Sequence, residues 1–322
     1  MKKIWCIGIL SFLGQSLFTG CVHKDRSESR ALRDPTIFYL DHAYTLTQSK
    51  EDFESLMTKG FLRNEETAHH PGQLLCQFVN LKTPVERSYY IEICHKDPSL
   101  PKDDLSDSKD PRDTAWPGVS LKVNRPLRTF YEDHEAEWKS FSPKFTHKNY
   151  AWNKDPKADW PGWNSIEFDN DPMKGLYFWF GEHERDPSRT LEERAKSRVK
   201  NLQSLEHPNT ARILLGHLWQ FSEDASQNFA KIVGVEPQRM RTNLPDGTWI
   251  QWVTGSSELG KRFKTKTYPL YAIVIGVESL ETFQKFNPQA EMFSLMGRDA
   301  VHIRMPDHAY DIIALQTTVR NN

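Results

Sequence analysis

The most constraining feature of this 322-residue sequence is repetition. Four times an apolar strand runs directly into a helix and is followed by further short strands, and self-similarity of this kind limits the fold more than any single motif. The clearest copy reads as a strand over 38–46, a helix over 49–59, a strand over 61–66, a loop "TAHHPG", and strands over 74–81 and 89–94. Ser49 with Asp52 three residues on is a capping-box-like helix start, and Gly60 marks the helix end. The last strand alternates, which puts Tyr90, Glu92 and Cys94 on one face. This is a βαβββ module.

The second copy opens on "VSLKV" (119–123) and enters a helix near Pro126, a residue suited to a first turn. Strands near Tyr150, in "NSIEF" and in "GLYFWFGE" follow. The third opens at Ile213, with a helix over 223–233 and a strand in "TWIQWV"; the fourth opens at Leu270 and closes with "AVHIRM" and "YDIIAL". The reading is an α+β fold of repeated βαβββ modules. A Pro-, Asp- and Ser-rich loop insert at 96–117 and a charged surface helix within 184–209 divide it into an N-terminal half (36–183) and a C-terminal half (210–322).

Residues 1–20 have a different character, with Lys2 and Lys3 preceding an apolar stretch too short to span a membrane comfortably. The stretch ends in Leu17-Phe18-Thr19-Gly20-Cys21, which resembles the lipobox of bacterial lipoproteins. That resemblance implies a cleaved signal peptide, acylation of Cys21, a polar tether over 21–35, and a body held by its lipid at a membrane of the bacterial cell envelope. Val22 after the cysteine points to the outer membrane.

The formal net charge is −1, from 42 basic and 43 acidic residues spread along the chain, so there is no basic footprint for nucleic acid. Cys76 and Cys94 fall in neighbouring strands. In an oxidising compartment they could pair, but buried strand cysteines also serve as small hydrophobes, and we read them as unpaired. No Gly-x-Ser-x-Gly elbow or Gly-rich phosphate loop occurs, and "DNDPMKG" (169–175) reads as a turn rather than a calcium loop.

Repeated βαβββ units with a histidine in a first strand and a glutamate in a last strand resemble the vicinal oxygen chelate superfamily of glyoxalases, extradiol dioxygenases and related resistance proteins. The motifs are Asp41-His42, Gly60-Phe61, His70-Pro71-Gly72 and Tyr90-Ile91-Glu92, with His207-Pro208-Asn209 ahead of the third module. The resemblance implies open, barrel-like mixed sheets and a divalent metal (Fe, Mn, Ni or Zn) held by His42, Glu92 and His217, with Glu92 also a candidate catalytic base. Two imidazoles and a carboxylate suit such ions and leave positions for substrate oxygens. His42 and His217 share an ion only if their modules meet; pairing of modules one with two and three with four would separate them. In the fourth module Ala272 stands where a histidine would be, and Asp311 is the nearest acid.

His69, His70, His207 and His302 are further candidates, read as loop or surface histidines, with His70 assigned to ligand binding. Six tryptophans fall within 116–179; most read as core, while Trp160 and Trp163 of "DWPGW" are candidate ligand-binding residues on a loop. Two functions follow. One is a metal-dependent lyase, isomerase or dioxygenase acting on a small oxygen-bearing molecule; the other is a non-catalytic binding protein for a small molecule or envelope ligand.

Overall fold

The computed structural model describes residues 36–317 apart from 37, 48, 65–66, 71, 86, 103–116, 149–162, 184–205 and 307. The signal segment, Cys21, the tether, Trp160, most of the loop insert and the helix expected within 184–209 lie outside the described residues.

Each module begins with a long strand: β1 (Phe38–Thr47), β5 (Gly118–Val123), β9 (Ala211–Gln220) and β12 (Leu270–Val277). Three of these lead into helices capped by a serine. Ser49 Oγ accepts from Asp52 N–H ahead of α1 (Lys50–Thr58), Ser222 from Ala225 N–H ahead of α3 (Glu223–Val233), and Ser279 from Thr282 N–H ahead of α5 (Leu280–Phe286). Before α2 (Leu127–His134), Pro126 presets the entry angle instead. Gly60 sits at φ 78°, just past α1, where a side chain would also collide with Phe286 and Asn209.

The closing strands are β4 (Ser88–Lys96), β8 (Tyr177–His183), β11 (Trp249–Val253) and β15 (Asp311–Gln316). Each returns parallel to the first strand of its own module. Between them lie β2 (Ala68–His70) and β3 (Leu74–Lys82), β6 (Pro143–Lys148) and β7 (Trp163–Phe168), β10 (Arg241–Asn243), and β13 (Glu291–Leu295) and β14 (Arg298–Ile303). The first, second and fourth modules are βαβββ. The third is βαββ, because only β10 and β11 follow α3 before the short helix α4 (Glu258–Arg262) that leads to the fourth.

Modules join through antiparallel pairing of their first strands, β1 with β5 and β9 with β12. The two resulting halves are linked in the sheet at Lys82–Ile213. The halves also share one core. Phe53 and Leu56 of α1, Phe130 of α2, Phe229 of α3 and Phe283 of α5 belong to a single apolar cluster, and Phe61 meets Phe283 across it while Phe178 meets Phe229. The helix-bearing faces of the two halves therefore pack on each other.

Two sequence expectations change here. Of the strand expected over 61–66, the described residues 61–64 are instead a connection whose Phe61 is driven into the shared core, and the strand β2 falls within the expected loop, so His70 stands on a strand. Cys76 and Cys94 are paired in a disulfide rather than free. They sit directly opposite each other on antiparallel β3 and β4, which brings the two side chains together.

Candidate metal centre

The site begins with an irregularity in β1. Leu40 pairs with Leu121 and His42 with Ser120, so Asp41 is an extra, bulged residue. A bulge reverses the side-chain alternation beyond it. Leu40 and Ala43 both enter the helix-side core, and His42 turns to the opposite, helix-free face. There its ring stacks on Tyr90 of β4 at 4.3 Å and meets Trp179 of β8 edge-on at 5.1 Å. Alternation along β4 places Glu92 on this same face.

His42 Nδ1 lies 2.8 Å from Asp41 Oδ2, and its Nε2 faces Glu92 Oε2 at 3.5 Å. His70 Nε2 approaches the other Glu92 oxygen at 2.9 Å. His42 and Glu92 are each only 6% exposed, whereas the His70 side chain is 29% exposed and forms the accessible edge of the group. Asp41 is ion-paired to Lys122 as well. Burial pushes the Asp41 carboxyl up, but Lys122 and His42 outweigh it and hold the group well below the usual carboxylate range. Asp41 is thus a fixed anion. It accepts the Nδ1 proton of His42, which leaves the Nε2 lone pair aimed at Glu92.

Two imidazoles and one carboxylate consequently converge, with a second carboxylate orienting one imidazole, the outer arrangement common around metal-binding histidines. Donor atoms of His70, Cys76 and Glu92 also lie within 4.8 Å of one another. The Cys76 sulfur, however, is committed to the disulfide and offers no thiolate. With Cys76 withdrawn, the imidazole and carboxylate donors on this face are His42, His70 and Glu92.

His217 does not join it. Its Nδ1 accepts the indole N–H of Trp219 at 3.3 Å, so its Nε2 proton faces the Tyr89 hydroxyl at 3.0 Å. Burial pushes its pKa down to about 3, and the neutral ring has no lone pair to spare. The separation follows from module pairing, which puts β1 and β9 in different halves.

His207 and His302 are buried, not surface residues. His207 Nδ1 accepts from Leu62 N–H and its Nε2 donates to the Asn80 carbonyl, so it staples the start of the third module to the first. His302 Nε2 meets Asp311, which also binds Lys266 at 2.8 Å. Trp163 opens β7 rather than a loop and is half-buried. "DNDPMKG" is a turn, in which the Asp171 carboxylate accepts from Met173 and Gly175 N–H. Among the described residues, a groove of about 680 Å³ lies in the C-terminal half beside Gln251, Glu258 and Arg262; it offers one carboxylate and no imidazole.

The sequence reading missed the bulge, the orienting role of Asp41 and the place of His70 in the cluster. The Asp41-His42 dipeptide was the signal for the second of these.

With the modules, their pairing and this face described, the fold is of the vicinal oxygen chelate type, a mixed sheet that does not close. An extradiol ring-cleaving dioxygenase from B. fuscum superposes with a TM-score of 0.51 at 9% identity, over 89% of this chain and 75% of that one. A Mn(II)-bound glyoxalase from Novosphingobium aromaticivorans gives 0.48 at 7% identity, over 87% and 82% of the two chains. A catechol 2,3-dioxygenase gives 0.45 at 8% identity, over 87% and 92%. At these identities the likeness concerns the fold alone. No protein-family model and no curated protein matches the sequence.

Proposed function

We propose that His42, His70 and Glu92 bind a divalent metal, and that the chain uses it as a lyase, isomerase or dioxygenase on a small oxygen-bearing molecule. The observation that carries this reading is His42, whose Nδ1 is committed to a buried anion while its Nε2 points at a buried carboxylate shared with a second imidazole. An Fe(II), Mn(II), Ni(II) or Zn(II) ion held there would supply Lewis acidity toward substrate oxygens. Asp41 fixes the His42 tautomer, and Tyr90 and Trp179 fix its ring plane. Glu92 is the carboxylate placed to take a substrate proton. His70, the most exposed of the three, stands where a ligand would enter.

A second reading is favoured by one observation: Glu92 lies 2.9 Å from His70 Nε2, which can donate to it, so the carboxylate can be stable with no ion. The chain would then be a non-catalytic binder of a small molecule or envelope ligand. In either case the lipobox-like Cys21 supports a lipid-anchored protein at a membrane of the bacterial envelope, and the Cys76–Cys94 disulfide suits an oxidising compartment.

Metal analysis separates the two. Protein purified without chelator and offered each of the four metals is expected to retain about one equivalent per chain. His42→Ala and Glu92→Gln should lose it while the chain still unfolds cooperatively. Wild-type protein that holds no stoichiometric metal would sink the metalloenzyme reading.

A further inference from the structure

We propose that Ser120, Trp163 and Trp179 form a donor cradle over Gly181 that binds an anionic oxygen, carboxylate or enolate, of a small molecule held beside His42. The proposal rests on the reading of His42, His70 and Glu92 as the centre that takes the other end of that molecule.

Two independent observations carry it. The Ser120 hydroxyl and the Trp179 indole N–H are buried and have no hydrogen-bond partner among the described residues. Buried polar groups in native folds are nearly always paired, and an indole N–H can only donate, so the missing partner of Trp179 is an acceptor. The second observation is convergence. A side-chain carbon placed on Gly181 would lie 3.2 Å from Ser120 Oγ, 3.2 Å from Trp163 Nε1 and 3.7 Å from Trp179 Nε1. The two unpaired donors, with Trp163 Nε1 beside them, therefore border the space over Gly181 that a side chain there would take up.

Strand register ties the cradle to the metal centre. Ser120 pairs with His42 across β1 and β5, and with Trp179 across β5 and β8, so the two groups are one strand apart on the helix-free face, about 5 Å. Among the described residues, acidic groups of the same module do not supply the missing acceptor. Glu167 is engaged with Ser165, and Glu182 accepts from Leu127 N–H and Asn164. A ligand with oxygens at both ends would thus present one to His42, His70 and Glu92 and the other to the three donors.

The test uses the full chain, labelled with ¹⁵N at its indoles, loaded with Zn(II) and titrated with oxalate. Single Trp→Phe variants assign the resonances. Saturable shifts of the Trp179 and Trp163 N–H signals are expected, with the Trp138 signal, in the helix-side core, unmoved. Ser120→Ala should weaken oxalate binding roughly tenfold, the loss of one hydrogen bond. Gly181→Ala, which fills the cradle, should weaken it further; Ser120→Ala adds no bulk and carries the test if Gly181→Ala fails to fold. A wild-type chain that takes up no zinc yet still shows the Trp179 shift would uphold the cradle and sink the metal reading. A chain that binds zinc through His42, His70 and Glu92 but leaves the Trp179 signal still, as a resident water in the cradle would, overturns the proposal and spares the metal centre.

Discussion

His42 and His217 occupy matching places in their modules, yet their surroundings differ in kind. Each lies in a first strand and pairs with the closing strand two residues before a position that is Glu92 in one module and Trp252 in the other. The bulge at Asp41 turns His42 to the helix-free face, beside Glu92 and His70. β9 bulges as well, at Leu215, but one residue further from its histidine, so His217 falls on the opposite face. It faces the shared core, among Tyr89 and Trp219. A histidine at the repeat's expected position is therefore only an opportunity. Face and free lone pair decide whether it can bind anything.

The two halves differ in the same way. The helix-free face of the N-terminal half carries His42, Glu92, Ser120 and Trp179. In the C-terminal half that face is closed by Leu218, Trp249, Phe263, Ala272 and Ile313. Phe263 comes from the connection between the third and fourth modules, which lies across this face. The same connection supplies Lys266 to Asp311, the acid nearest to the position of Glu92. Burial pushes Asp311 up, but His302 and Lys266 hold its pKa low. The cation of this half is built in.

The comparison is broken most sharply by removing one carboxylate from each half. Glu92→Gln should abolish metal retention and leave stability little changed. Asp311→Asn should leave metal retention intact and cost about 3–5 kcal/mol, because Lys266 is left buried without its counter-charge. Metal stoichiometry and urea midpoints on both variants check the pair. If Asp311→Asn also lost metal, the halves would not be functionally distinct.

His217 comes next. His217→Ala should cost about 2–4 kcal/mol, from the cavity and from the stranded Trp219 N–H and Tyr89 hydroxyl, with metal affinity unchanged. The pH dependence has a definite sign. The folded pKa, about 3, lies below the unfolded value. The unfolded chain therefore takes up the proton first, and the fold loses about 1.4 kcal/mol per pH unit through this residue as pH falls below about 6.5. That loss levels off near pH 3. A His217→Leu chain should show an acid slope shallower by one proton, measured as urea midpoint against pH between 6.5 and 4. An unchanged slope would mean that the ring is not neutral in the fold.

How much of this was legible in the sequence follows from what each feature depends on. The Ser49 cap of α1 and the alternation of β4 depend on local chemistry, and the sequence reading located them. The inward aim of Glu92 followed from alternation alone. His70 was seen as a loop residue because β2 is three residues long and its pairing to Leu74, across the Gly72 turn, leaves no periodic signal. The bulge at Asp41 is set by pairing with β5, more than seventy residues away, and so is invisible locally. His302 looked peripheral for the same reason: its strand is central only once β15 and β13 flank it.

The smallest expected effect isolates what distinguishes the two first-strand histidines beyond the face they occupy. Asp41 makes no contact with an ion in the proposed centre; it orients His42. Asp41→Asn keeps the size of the side chain but removes the fixed anion, and the amide can present its NH₂ to Nδ1 and favour the wrong tautomer. Metal affinity should fall by about 10–100-fold, the usual cost of losing such a partner, without loss of stoichiometry at saturating metal. Lys122, exposed enough to reach water, limits the stability cost. Calorimetric titration of Zn(II) into both chains checks the affinity, and rescue by Asp41→Glu would show that the charge matters. Equal affinities in wild type and Asp41→Asn would mean that Nδ1 needs no anion. The difference between His42 and His217 would then reduce to the direction in which each ring points.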